Sequence, residues 1–162
     1  RPTVVDATAG LGADAMLLVR AGCPVQLIER SPLLALMLEQ ALARLQQLAL
    51  PPWASLPQPR LHPGEAVALL PTLNAIDVIT LDPMYRQPGR KAAASGAMQL
   101  LDRVLAAGPG GPSDATLFAT ALACARSRVV VKRPLRAPPL VPDPAPHHSI
   151  AGKSTRFDVY LV

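Results

Sequence analysis

Asp82, Pro83 and Tyr85 fall within four residues of one another at the end of the apolar run Val78-Ile79-Thr80-Leu81, and their types suit the recognition of a planar exocyclic amine. The carboxylate offers acceptor oxygens, the proline carbonyl is held in a fixed direction by its ring, and the tyrosine supplies a flat face for stacking. Val78, Ile79 and Leu81 read as a strand covered on both faces, and Pro83 cannot donate to a ladder, so the strand, from about Ile76, ends at Asp82. Ligands of open parallel sheets bind just beyond such carboxyl ends. The stretch from Ile79 to Arg86 is therefore a candidate floor for an active site. Asp-Pro pairs also open ordinary turns, and on these residues alone both readings stand.

A second constellation lies near the start. Thr3-Val4-Val5-Asp6 forms a short strand, and Gly10 and Gly12 occupy the turn into an apolar helix that runs to about Val19. Two glycines there let the backbone approach a ligand, while free amides at the helix start favour an electron-rich partner. The next strand, Val25 to Ile28, ends in Glu29-Arg30, where an acidic residue can grip the two hydroxyls of a ribose. A hydride-transfer cofactor suits the same turn, because Gly10 to Ala15 satisfies the relaxed glycine fingerprint. That alternative leaves Asp82-Pro83-Met84-Tyr85 idle.

The elements that position these groups follow from pattern and punctuation. Ser31 caps a helix with Pro32 at its first position, and Leu34, Met37, Leu38, Ala41, Leu42 and Leu45 form its core stripe to about Leu48. Trp53 anchors a stiff proline loop. Arg60-Leu61-His62 makes a short strand closed by Pro63-Gly64-Glu65, which places Gly64 and Glu65 on the rim of Gly10 and Glu29, at the edge of an adenine ring; His62 is structural. A helix is expected from about Ala93 to Ala107, another from Ser113 or Asp114 to about Ala125, and a strand over Arg128–Lys132 with Arg133 and Pro134 at its carboxyl end. Six prolines from Pro134 to Pro146 oppose regular structure. His147 and His148 are either a solvated loop pair or a proton shuttle, and they lack the third ligand of a catalytic zinc site. Thr155 to Val162 alternates as a closing, antiparallel strand. The order is that of an α/β layered sheet, mostly parallel, in one domain over residues 1–162.

Composition narrows the class. Half of the 162 residues are apolar and 3% aromatic, with nineteen prolines: a globular chain with an aliphatic core and rigid loops. No apolar run reaches membrane-spanning length and no signal segment precedes the first strand, so a cytoplasmic protein without a membrane partner is expected. The absence of an initiator Met raises the expectation of an upstream segment. Cys23 and Cys124 lack metal-ligand spacing and read as reduced, buried hydrophobes. The net charge of +5 is unevenly distributed: residues 1–81 carry five Lys/Arg against six Asp/Glu, residues 82–162 eleven against five. A polyanion approaching the second half would meet Arg86, Arg90, Lys91, Lys132, Arg133 and Arg136. A solvated basic surface is the plainer alternative.

Several blocks together resemble one family. Asp6-Ala7-Thr8-Ala9-Gly10-Leu11-Gly12, Leu27-Ile28-Glu29-Arg30, Leu81-Asp82-Pro83-Met84-Tyr85, Val129 to Pro134 and Arg156 to Tyr160 resemble, in order, the bacterial small-subunit ribosomal RNA (guanine-N2)-methyltransferase J family. The resemblance implies a Rossmann-like class I methyltransferase that uses S-adenosylmethionine to methylate the exocyclic amine of a guanosine in 16S rRNA. It also implies cofactor contacts at Ala13, Asp14, Glu29, Arg30, Gly64, Glu65 and Asp82, beside Asp6, Gly10 and Gly12 of the turn. The chain departs from the family at Ala13, where relatives carry Arg, and at Gly64-Glu65, where they carry two serines. Family members also have an amino-terminal region before the matched part. On this reading Asp82 and the Pro83 carbonyl hold the amine, Tyr85 stacks on the base, and the basic residues hold phosphates. A non-catalytic RNA-binding module on the same fold is the third class to be distinguished.

Overall fold

The computed structural model describes residues 1–48, 53–83 and 111–162. Among them, seven strands form one sheet: β1 (Val4–Asp6), β2 (Val25–Glu29), β3 (Arg60–Pro63), β4 (Val78–Leu81), β5 (Arg128–Pro134), β6 (His148–Ala151) and β7 (Thr155–Leu161). Their lateral order is β3-β2-β1-β4-β5-β7-β6. The first five are parallel, and β7 runs antiparallel between β5 and β6. The helices are α1 (Ala13–Arg20), α2 (Pro32–Leu48), α3 (Ala66–Leu69) and α4 (Asp114–Cys124). This is the α/β arrangement expected, with its antiparallel carboxyl-terminal strand.

The sheet is covered on both faces because its central strands are apolar at most positions, with Asp6 and Thr80 the exceptions in β1 and β4. Side chains alternate between faces along a strand. Val4 accordingly packs with Ala15, Val19 and Leu38 on the side of α1 and α2, whereas Val5 joins Phe118, Ala121 and Val129 on the side of α3 and α4. Helix starts follow local chemistry. Ser113 Oγ accepts the Thr116 N–H at 3.1 Å and Asp114 lies in the first turn of α4, where a negative charge faces the positive helix end. Ser31 Oγ accepts the Leu34 N–H at 3.4 Å behind Pro32 at the head of α2.

From β1 the chain winds outward through β2 to β3, then crosses back to place β4 on the other side of β1. The carboxyl ends of β1 and β4 thus flank the point where the winding reverses, which is where open α/β sheets open a crevice.

Four details differ from the sequence expectation. Met37 and Ala41 are exposed, so the buried stripe of α2 narrows to Leu34, Leu38 and Leu42 with Ala35. Strand β5 continues through Pro134. An additional strand, β6, forms on pairing alone: all four residues are exposed, and the ladder to β7 is reinforced by a 2.6 Å hydrogen bond from Ser149 Oγ to Asp158 Oδ1. Finally, His147 Nδ1 accepts the Leu161 N–H at 3.1 Å, and Leu161 pairs with Arg128, the first residue of β5. Both histidines therefore belong to the sheet end opposite the rim and serve no proton relay there. The expected helix over 93–107 lies outside the described residues. Among those described, no helix is long and apolar enough to cross a membrane.

Candidate active site

The turn after β1 is stitched to both neighbouring strands. The Ala7 N–H donates to Thr80 O and the Ala9 N–H to Ile28 O, each at 3.0 Å. Gly10 (φ +55°) and Gly12 (φ +79°) take left-handed conformations that L side chains rarely adopt. A Cβ added at Gly10 would meet nothing nearer than Thr8 O at 4.0 Å, so that face of the turn is open. Glu29, at the tip of β2, is buried, and its carboxylate bridges two amides: Oε2 accepts the Gly10 N–H and Oε1 the Ser31 N–H, both at 2.7 Å. Each oxygen retains acceptor capacity for a ligand hydroxyl.

Beside Glu29, the Gly64 N–H donates to Glu29 O at 2.9 Å and brings the end of β3 onto the same rim. Arg30 and Glu65 are exposed and border Gly111, where a Cβ would collide with the Arg30 guanidinium and lie 3.5 Å from Glu65 Oε1. On the other side of the turn, Ala13 is exposed and Asp14 half-buried in the first turn of α1. Of the expected cofactor contacts, all are described, and all fall at this edge of the sheet.

The rim is acidic at its centre. Asp6 is 5% exposed, and burial pushes its carboxyl up to about 6. The Thr8 N–H, 3.2 Å from Asp6 Oδ1, opposes that shift, while the charges of Asp14, Asp82 and Glu29 add to it. Asp82 sits just past β4, with about half its side chain exposed. Its backbone N–H donates to Thr8 Oγ1 at 2.6 Å, hooking the end of β4 to the glycine turn. Pro83 behind it is buried. Lys132 of β5 extends its Nζ to 2.6 Å from Asp14 Oδ2 and 3.0 Å from Asp82 Oδ2. Partial burial pushes that ammonium down, but the hydrogen bonds it donates to Asp14 and Asp82 outweigh it and hold it above the usual lysine value.

The basic residues are arranged differently from the expectation. Arg133 is 4% exposed, and its Nε donates to Pro138 O at 3.1 Å. Because β5 runs two residues further than expected, its alternation sends Arg133 inward with Val129 and Val131, away from any phosphate. Lys132 faces carboxylates rather than solvent. Arg156 is committed to the buried Asp158 through Nε at 2.8 Å and Nη2 at 3.0 Å, and its Nη1 holds the carbonyls of Leu135 and Ala137 at 2.9 and 2.6 Å. Burial pushes the Asp158 carboxyl up, but the bonds from Arg156 and Ser149 prevail and hold it below the usual range. Arg136 is exposed just past β5, and Lys153, which sequence reasoning did not single out, is exposed in the β6–β7 turn at the same edge. Thr8 was likewise unforeseen. Tyr85, Arg86, Arg90 and Lys91 lie outside the described residues.

Comparison with known proteins agrees with this geometry. Residues 1–162 match the family model described as "Putative SAM-dependent methyltransferase". The ribosomal RNA small subunit methyltransferase J of Halorhodospira halophila is 46% identical over 98% of the chain, and that of Pseudoalteromonas atlantica 47% over 98%. The chain spans 59% and 62% of those two relatives, about three fifths of their length. A crystal structure of a SAM-dependent methyltransferase from Neisseria gonorrhoeae superposes with a TM-score of 0.73 at 34% identity, covering 99% of this chain and 65% of that one. The glycine turn, the acidic tip of β2 and the carboxylate past β4 thus sit in a chain that belongs to the SAM-dependent methyltransferase family.

Proposed function

We propose that residues 1–162 form the methyltransferase domain of a cytoplasmic enzyme that transfers a methyl group from S-adenosylmethionine to the exocyclic N2 amine of a guanosine in 16S rRNA. The observation that carries this reading is that Glu29 and Asp82 are both fastened to one turn, Glu29 through the Gly10 N–H and Asp82 through Thr8 Oγ1. A ribose-binding carboxylate and an amine-binding carboxylate thereby share a rim. The residues fit the cofactor: the Gly10 face is open, Glu29 keeps acceptor capacity, and Asp6, Asp14, Glu29 and Asp82 outnumber Lys132, which favours a cationic ligand. Bound there, S-adenosylmethionine supplies a methyl group activated by its sulfonium. Glu29 would receive the ribose hydroxyls, Arg30, Gly64 and Glu65 would edge the adenine, and Asp6 and Asp14 would face the cationic end.

The chain's own residues supply the rest of the chemistry. A guanine amine is conjugated with its ring and weakly nucleophilic. Hydrogen bonds from its protons to the Asp82 carboxylate and the Pro83 carbonyl favour a pyramidal nitrogen and stabilise the positive charge that develops on it. Fixed alignment of the amine with the methyl group lowers the barrier further. Tyr85 would stack on a base that has left its helix or is already unpaired. The name of the curated relatives supports the rRNA of the small subunit as partner, and Arg136 and Lys153 offer exposed cations to its phosphates.

The test is a labelled-methyl assay on small subunits that lack this modification, followed by mass mapping. The expected product carries label on the N2 of one guanosine. RNA binding without incorporation would instead make the chain a non-catalytic binding module.

A further inference from the structure

Lys132 makes both ion pairs described at the rim, and its two partners belong to opposite sides of the proposed reaction. Asp14 lies on α1, the helix that starts at the glycine turn, and Asp82 lies at the end of β4. Register explains the meeting. Leu81 pairs with Val131, so the next residues, Asp82 and Lys132, emerge side by side on the face of the sheet that α1 covers. An ammonium has three donors, and two are engaged here at 2.6 and 3.0 Å. A phosphate reaching for the third donor would have to approach an ammonium already shared by two carboxylates, whose combined negative charge repels it.

We infer that Lys132 is a positioning residue for methyl transfer rather than a phosphate ligand: its ammonium fixes the Asp82 carboxylate relative to Asp14, and so relative to the cofactor side of the cleft. This inference rests on the function proposed above. The contact uses one of the roughly four acceptor sites of the Asp82 carboxylate, leaving capacity for an amine proton. Together with the Thr8 hook on the Asp82 backbone, it restrains both the main chain and the side chain of the amine-binding residue. Charge-assisted hydrogen bonds of this length are short and directional, which suits a group whose purpose is orientation.

Two variants separate the roles: Lys132→Met removes the ammonium and keeps an unbranched stem, and Lys132→Arg keeps the charge. Acylation of the whole protein by an amine-reactive ester, read by mass spectrometry, should modify Lys132 several-fold more slowly than Lys153, and the gap should narrow in Asp82→Asn, where the contact to Asp14 remains. In the methyl-transfer assay, Lys132→Met should lower kcat by roughly 10- to 100-fold at unchanged KM for RNA, with partial recovery in Lys132→Arg. The salt dependence of RNA binding should not change. Lys132 as reactive as Lys153, or Lys132→Met with full kcat and a salt slope reduced by about one, would overturn this inference alone. Absence of transfer by the wild-type protein, with Lys132 still protected, would overturn the functional reading on which it rests.

Discussion

The Gly10 N–H and Glu29 Oε2 stand 2.7 Å apart, which ties the tip of β2 to the turn after β1. Glu29 thereby shapes the turn as well as facing its ligand. Replacing Glu29 with Ala strips acceptors from the Gly10 and Ser31 amides and should destabilise the fold by about 1–3 kcal/mol. Affinity for S-adenosylmethionine should fall roughly tenfold or more, since hydrogen bonds to a charged group are worth about 1.5–3 kcal/mol. Calorimetric titration of wild type and variant measures this. A nicotinamide dinucleotide should give no heat with the wild type, and unchanged cofactor affinity in the variant would remove Glu29 from the site.

Asp6 links the site to stability through pH. Its folded-state value of about 6 lies above the ordinary 3.8, so the folded chain holds the proton more tightly than the unfolded one. Stability should therefore fall as pH rises from about 4 to about 6, by up to about 3 kcal/mol. Asp6→Asn keeps an acceptor for the Thr8 N–H and cannot ionise. Urea denaturation across this range should show a flatter profile and a more stable variant above the window. An unaltered slope would show that Asp6 is not the group responsible.

Arg136 and Lys153 are exposed cations at the β5–β7 end of the rim. Substituting either with Ala should weaken RNA binding without regard to sequence and lower the salt slope by about one. Binding of S-adenosylmethionine should be untouched. Titrations at several salt concentrations decide the matter, and a slope that does not move would place the RNA elsewhere.

The parts of the site legible in the sequence were those where backbone geometry restricts residue type. Left-handed φ at Gly10 and Gly12 demands glycine, Pro83 must end a ladder, and an apolar run without alternation marks a doubly covered strand. What escaped notice depends on contacts across the fold. Lys132 meets Asp14 from 118 residues away, and nothing local to Lys132 distinguishes a carboxylate partner from a phosphate. Arg133 was misplaced because β5 continues two residues beyond the expected end, so that alternation carries it inward. Thr8 reads as an ordinary turn residue until β4 arrives beside it, and β6 has no pattern of its own because all its residues face solvent.

The central claim is that methyl transfer occurs against the carboxylate at the end of β4. Because the Asp82 side chain is about half exposed, Asp82→Ala should fold normally, and with Glu29, Asp6 and Asp14 in place it should still bind S-adenosylmethionine, with a loss of affinity far smaller than the loss of transfer. Labelled-methyl incorporation into small subunits lacking the modification should then fall by about 100-fold or more. Undiminished incorporation by a folded, cofactor-binding Asp82→Ala protein would contradict the account.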